Sequence, residues 1–439
     1  MRDLIARILP KSAFVKNIGI LTGGTIFAQS LAVLSLPILT RLFSPEDFSL
    51  LAVYTAIIGL FSVISCMRLN IAIPLPEDDS NAINLVALSL FSATTISVLI
   101  AVVILLFPSE IVGLIQQPAM RPLLWMIPVG VFVASIYNAL QYWTSRRKQF
   151  GLITQTRVTR ALGGSGTQIG FGLFSSGPFG LLFGHMIYGG MGIVGLVRSL
   201  LKNDKKLLTA IDRPSLVANL RVYKRFPLLS VPESLFNSGG IQLPIIIIAA
   251  WAVGPEAGFV MIAIRVMGLP MGLVGTSVAQ VYLAEAPEHL RKGTLVSLTR
   301  ETIWMLFKSG TPILLLVGFI SPFIFPYVFG ADWQRAGIIV AWMTPWFLLQ
   351  FVSSPISVIL YMVDKYELAM LLQLSGLVLR VGSVLIAILY HPKWLTEAFT
   401  VSSAVFYLIF IILVTRILQS LERSAKDTET NALDSQNIS

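Results

Sequence analysis

The apolar residues of this chain fall into long runs. Ala82–Phe107 and Pro178–Val197 hold no Asp, Glu, Lys or Arg. A helix needs about 20 apolar residues to cross a hydrocarbon core roughly 30 Å thick, and both runs reach that length. The runs and the turn signals between them predict twelve spans, at 17–39, 48–67, 82–107, 122–143, 152–174, 178–200, 231–252, 256–282, 301–321, 337–361, 367–390 and 395–418. The polar, basic stretch LKNDKKLLTAIDRPSLVANLRVYKRF interrupts them after the sixth. The expected layout is a weakly amphipathic N-terminus (1–16), a six-helix bundle (17–200), a basic linker (201–230), a second six-helix bundle (231–418) and a disordered polar tail (419–439).

Local signals sharpen the first turn. In LPILTRLFSPEDFSLLAVY, Ser44 is placed to cap a helix, with Pro45 at its first position and Glu46 and Asp47 in its first turn. A related pattern returns: Gly254-Pro255-Glu256 opens span eight as Pro45-Glu46 opens span two. Trp125-Met126-Ile127-Pro128 is echoed by Trp342-Met343-Thr344-Pro345, and Tyr142 by Tyr361. The offsets are 210, 217 and 219, drifting one way as small insertions produce. Duplication of a six-helix unit is the expectation, with the halves related by a pseudo-two-fold axis along the membrane normal. The pairs Gly166–Gly170, Gly180–Gly184 and Gly268–Gly272 are candidates for close helix approach.

Composition agrees with a polytopic membrane protein: 55% of the 439 residues are hydrophobic, 12% are charged, and the mean hydropathy is +0.80. Of the 32 Lys and Arg residues, 25 fall on the side of the N-terminus, four on the other and three inside spans, which places both termini in the cytoplasm. Cytoplasmic loops facing anionic lipid account for the net charge of +10 without any nucleic-acid partner. The run after the N-terminus is too long for a cleaved secretory segment and is read as a retained span. The single cysteine, Cys66, excludes an internal disulfide, and no Cys/His spacing suggests a metal.

Candidate chemistry lies in the charges that a membrane disfavours. Arg265, Lys308 and Arg380 sit inside spans eight, nine and eleven, with no acidic residue away from the span ends. Each costs roughly 2.5–3.5 kcal/mol at a helix centre, so each must face a wet, anion-preferring lumen or bond to kinked backbone or a neighbouring helix. Arg41 and Arg68 are candidates for the mouths of such a path, or for interfacial anchors. Trp125, Tyr137, Tyr142 and Trp143 are either sugar-stacking residues or belt and core aromatics. His185 is either packed or part of a proton relay. The sequence has no G-x-x-x-x-G-K-[ST] loop, no H-E-x-x-H and no G-x-S-x-G elbow, and its outer loops are short. An enzyme is not expected.

Five segments, in order, carry a resemblance: LPILTRLFSPEDFSLLAVY, MRLNIAIPLPEDD, VGPEAGFVMIAIRVMGLPMGLVGTSVAQV, FPYVFGADWQRAGIIVAWMTPW and SSPISVILYMVDKYELAM. Over roughly residues 15–420 the chain resembles the bacterial polysaccharide flippases of Wzx type, in the MATE-like superfamily of multidrug and lipid-linked oligosaccharide exporters. It departs from them after Arg68, where Leu69-Asn70 replaces an aromatic-Glu pair. The resemblance implies an all-α MATE-like fold of two six-helix bundles in the bacterial inner membrane. It implies translocation of a polyprenyl-pyrophosphate-linked oligosaccharide repeat unit to the periplasmic leaflet for polysaccharide, O-antigen or lipopolysaccharide assembly. No cofactor is implied beyond a coupling ion, H+ or Na+. The implied partners are the lipid-linked oligosaccharide, membrane lipid, a polysaccharide polymerase and a chain-length regulator. Two alternatives remain: a cation-coupled multidrug exporter and a non-transporting membrane scaffold.

Overall fold

The computed structural model describes residues 13–175, 177–363 and 365–437, so residues 1–12 of the expected amphipathic N-terminus lie outside the described ones. The described residues form helices joined by short turns, with no strand among them. The long helices are α1 (Ala13–Leu34), α2 (Pro45–Ser65), α3 (Asp79–Leu106), α4 (Met126–Arg146), α5 (Phe150–Leu173), α6 (Pro178–Gly190) and α7 (Val231–Trp251). They continue with α8 (Glu256–Pro270), α9 (Thr276–Arg291), α10 (Leu295–Val328), α11 (Gln334–Ser353), α12 (Tyr366–Tyr390) and α13 (Leu395–Asn437).

The start of α2 follows its sequence signal. Asp47 N–H donates to Ser44 Oγ (3.2 Å) and Ser44 N–H donates to Asp47 Oδ2 (3.1 Å), so two orphan amides of the first turn are satisfied reciprocally. Span eight is not one helix: α8 ends at Pro270, and a π-helical turn, Met271–Gly275, leads into α9. Span six is also broken, at Met191-Gly192, between α6 and the helix Ile193–Asn203.

Nine helical stretches among the described residues are long and apolar enough to cross a membrane, and the chain is a multi-pass helical membrane protein. The other spans read from sequence are α4, α5 and α8–α9. Two of these are polar: α4 carries Asn138 and Gln141, and α5 carries Gln155, Arg157, Arg160 and Gln168. The third is interrupted by the π-helical turn after Pro270. Yet α5 packs against α1 and α6, both parts of apolar spans. Such a helix must turn its polar face to protein or water.

Cα packing divides the chain into two compact units: residues 1–261 with Val328–Asp332, and Ile262–Tyr327 with Trp333–Ser439. In the first, α7 lies along α2, α4 packs on α2, α3 and α6, and the core gathers Leu69, Ile83, Tyr137, Trp143 and Leu196. In the second, α13 packs on α11 and α12, around Tyr282, Ile356, Leu372, Phe406 and Phe410.

Residues of the basic stretch 201–230 are docked on the first unit. Asn84 Nδ2 donates to Ala210 O (2.9 Å), and Asn219 Nδ2 to Asn81 Oδ1 (3.2 Å). Asp204 is 3% exposed; it accepts from Trp143 Nε1 (3.0 Å) and from Arg147 Nε (2.9 Å). Arg147 also donates to Asp79 (2.6 Å), and Arg146 to Asp79 and to the carbonyls of Pro76 and Glu77. The hydrogen bond to Asp204 holds the Arg147 pKa above the usual arginine value. This network ties the start of α3 and the end of α4 to the linker.

The pair Gly166–Gly170 is not a close approach: a Cβ on either residue would meet nothing within 4 Å, and neither would one on Gly268. Close crossings form at Gly184, a member of the predicted pair Gly180–Gly184, and at Gly258. A Cβ on Gly184 would sit 3.0 Å from Gly164 O, where α6 meets α5. A Cβ on Gly258 would sit 2.9 Å from Ser49 N and closer still to Pro45 O, so the openings of α8 and α2, related in sequence, pack backbone to backbone. Gly258→Val is expected to cost about 3 kcal/mol by forcing these backbones apart, whereas Gly166→Val should change little. Thermal unfolding in detergent checks the pair; equal midpoints would show that the α2–α8 contact is not tight.

Candidate functional site

Arg380 projects from the middle of α12 into the second unit and is 1% exposed. Its guanidinium lies over the rings of Phe406 (4.2 Å to the centroid) and Tyr407 (5.4 Å), both on α13, and it hydrogen-bonds Tyr407. Its Nε and Nη2 have no hydrogen-bond partner among the described residues. Arginine is the cation suited to this setting, because its weakly hydrated planar fork stacks on aromatic faces. Nearby on α13, Glu397 is buried; its Oε1 accepts from Arg335 Nη2 (2.7 Å), while Oε2 is unpartnered among the described residues.

The other predicted cations are dispersed. Lys308 lies on α10 opposite the buried stripe of Leu306, Gly310 and Leu314; it is exposed, with its ammonium 5.0 Å from the centre of the Trp304 ring one turn earlier. Arg265 is half-buried on α8 and is engaged by other groups. Arg41 is exposed in the last turn of the short helix Leu36–Leu42. Arg68 and Met67 both have left-handed backbone (φ 58° and 49°), and Arg68 Nε approaches Ser230 Oγ at 3.5 Å. Arg41 and Arg68 belong to the first unit, and Arg265, Lys308 and Arg380 to the second.

The four predicted aromatics do not form one surface. Trp125, at the head of α4, is 48% exposed. Tyr137 and Trp143 lie about 18–27 Å further along at 1.5 Å per residue. Both are buried, and Tyr142 packs beside them in the core of the first unit. Trp143 is held by Asp204. Tyr137 Oη bonds Thr156 Oγ1 (3.1 Å), which fixes α4 against α5.

Arg157 and Arg160, counted from the sequence among the cations on the side of the N-terminus although span 152–174 contains them, lie about two and three turns inside α5. Arg157 Nη1 donates to Thr25 Oγ1 on α1. Arg160 is half-buried. Its guanidinium lies 3.7 Å from the Tyr137 centroid and 4.5 Å from that of Tyr188, and its Nε donates to Tyr188 O (2.6 Å). That carbonyl is available because α6 breaks two residues later, leaving its last carbonyls without intrahelical partners. His185, one turn before Tyr188, lies between the rings of Tyr54 (5.9 Å, edge-on) and Tyr188 (5.8 Å, stacked). The signal for this cluster was the polar run Gln155–Arg160 inside an otherwise acceptable span.

Such an arrangement suits an anion better than a cation. Arginine forks with open N–H groups recognise phosphate and carboxylate, and the aromatic faces beside them suit sugar rings. Among the described residues, no cluster of three His, Cys, Asp or Glu side chains is placed to hold a metal.

Residues 38–337 match the family model described as polysaccharide biosynthesis protein. No protein of curated function matches the sequence. Among solved structures, the lipid II flippase MurJ in an inward closed conformation is similar, with a TM-score of 0.62 at 15% identity, over 90% of this chain and 87% of that one. A eukaryotic MATE transporter gives 0.57 at 13%, over 94% and 98%. A MATE-family multidrug transporter in an inward-facing conformation gives 0.54 at 14%, over 92% and 95%. The shared fold is MATE-like.

Proposed function

Since the chain belongs to the polysaccharide biosynthesis protein family, we propose that it is a flippase for a polyprenyl-pyrophosphate-linked oligosaccharide repeat unit. It would carry the saccharide head from the cytoplasmic to the periplasmic leaflet of the bacterial inner membrane while the polyprenyl tail stays in lipid. Alternating access of the MATE-like fold, coupled to an H+ or Na+ gradient, would move it. The observation that carries this reading is Arg380: a cation deep in a helical unit, stacked on aromatics, with two donor groups unpartnered among the described residues. A pyrophosphate crossing a membrane needs such donors, and Arg265, Lys308, Arg41 and Arg68 would add to the positive potential along its path.

The fold of a lipid flippase supports this reading, and so does the match to MATE multidrug transporters support a drug exporter. The side chains favour the flippase. A cationic drug wants buried carboxylate, and the buried acids Glu397 and Asp204 each already accept from an arginine, Glu397 through Oε1.

A strain deleted for the gene is expected to lose surface polymer while lipid-linked repeat units accumulate on the cytoplasmic leaflet. Arg265→Ala or Arg380→Ala in the restored gene should export poorly. Normal polymer together with increased drug sensitivity would overturn the flippase reading in favour of the exporter. Unaltered export in both arginine variants would remove the cationic path.

A further inference from the structure

The two units each hold one arginine stacked on a tyrosine of the following helix, and the two pairs fall in register with the internal repeat. Arg160 on α5 and Arg380 on α12 are 220 residues apart, and the tyrosines beneath them, Tyr188 and Tyr407, are 219 apart. The repeat signals that precede them in the chain have offsets of 210, 217 and 219, so both pairs fall within one residue of the last of these. A third aromatic completes each, but from a different source: Tyr137 from the preceding helix over Arg160, and Phe406 from the following helix over Arg380.

We infer that Arg160, with Tyr188, forms an anion-binding cradle in the first unit that takes the pyrophosphate of a lipid-linked saccharide, as the repeat counterpart of Arg380 with Tyr407. This rests on the flippase reading above and adds a binding residue to it. Three features carry the assignment. First, a cation three turns inside a helix packed among apolar spans needs a counter-charge. Second, the oxygen bonded to its guanidinium among the described residues is the carbonyl of Tyr188, and this engages Nε alone. Both terminal nitrogens therefore remain to donate in the bidentate geometry that phosphate accepts. Third, the two members differ in access. Arg380 is sealed within its unit, whereas Arg160 is half-buried beside a Tyr188 ring that is 38% exposed. Tyr188 keeps an exposed edge beside the fork although Arg160 and His185 lie against its ring, so a pyranose adjoining the phosphate can meet that edge while Arg160 takes the anion in the first unit.

A purely structural alternative is that Arg160 only ties α5 to the broken end of α6. Binding to the full-length protein in nanodiscs separates the two. The probes are a polyprenyl pyrophosphate, the matching uncharged polyprenol, inorganic pyrophosphate and phosphatidylglycerol. Arg160→Ala is expected to weaken polyprenyl pyrophosphate about ten- to a hundred-fold and to leave polyprenol unchanged, the loss expected when a charged acceptor loses its donors. Arg160→Gln keeps a donor for Tyr188 O and should lose the same binding at wild-type thermal stability, which guards against misfolding of the alanine variant. Wild-type affinity in both variants would overturn the cradle while leaving the flippase reading intact. A wild-type protein that binds the pyrophosphate no better than the polyprenol would overturn that reading and the cradle with it. Equal, Arg160-dependent binding of inorganic pyrophosphate or of phosphatidylglycerol would overturn the lipid-linked assignment, in favour of free phosphate or an ordinary headgroup respectively.

Discussion

Replacing Arg380 with methionine is expected to raise the thermal stability of the purified protein and to abolish polymer export in cells. The side chain is 1% exposed, and two of its donors have no partner among the described residues. A buried ion without a full set of partners costs several kcal/mol, and the bond to Tyr407 with two cation–π contacts of about 2 kcal/mol each leaves Nε and Nη2 uncompensated. The cost therefore exceeds the gain. Methionine has a similar reach, fills the same space and makes favourable sulfur–aromatic contacts with Phe406 and Tyr407. The expected gain is about 1–4 kcal/mol, read as a higher unfolding midpoint in detergent. A lower midpoint would show that the guanidinium is better compensated than its contacts indicate. Unchanged export would take Arg380 out of the transport path. A residue that is kept at a cost to stability, and whose loss stops transport, is the expected signature of a functional charge.

Asp204→Ala is expected to have the opposite effect, a loss of about 3–5 kcal/mol, because it breaks a buried charge pair from one side. Trp143 Nε1 would lose its acceptor in the core, and Arg147 would keep only Asp79. Asp204→Asn still offers an oxygen to Trp143, so it should cost about 1–3 kcal/mol. The exposed Lys292–Glu288 pair provides the contrast, since its removal should cost less than about 0.5 kcal/mol. Unfolding midpoints of the three variants test the order. An Asp204→Ala midpoint equal to that of the Lys292 variant would mean that the linker is not anchored through this carboxylate.

These cases show which parts of the molecule were legible in one dimension. The spans were legible because each must satisfy its own backbone and present apolar side chains to lipid, a requirement met locally and visible as run length. The cap at Ser44 was legible for the same reason, since its donors and acceptors lie within four residues. The break at Pro270 was signalled by the proline, but not the π-helical turn that follows it. The close helix contacts were legible only in part, at Gly184 of the pair Gly180–Gly184. Gly166 and Gly170 have the spacing of a contact and open space around them, whereas Gly258 meets Pro45 and Ser49 from over 200 residues away. Spacing reports which residues share a helix face. It does not report what that face meets.

The functional charges divide along the same line. By itself the sequence determined that this is a multi-pass helical protein with cations where lipid would not accept them, because hydrophobic length and charge are additive properties of the chain. Only the tertiary structure decided how those cations stand. It buried Arg380 on Phe406 and Tyr407, left Lys308 exposed over Trp304, and set Arg160, counted from the sequence with the loop cations, against Tyr137 and Tyr188. The physical reason is that the cost of a charge depends on its distance to donors, acceptors and aromatic faces on other helices. Those distances exist only once the helices have packed.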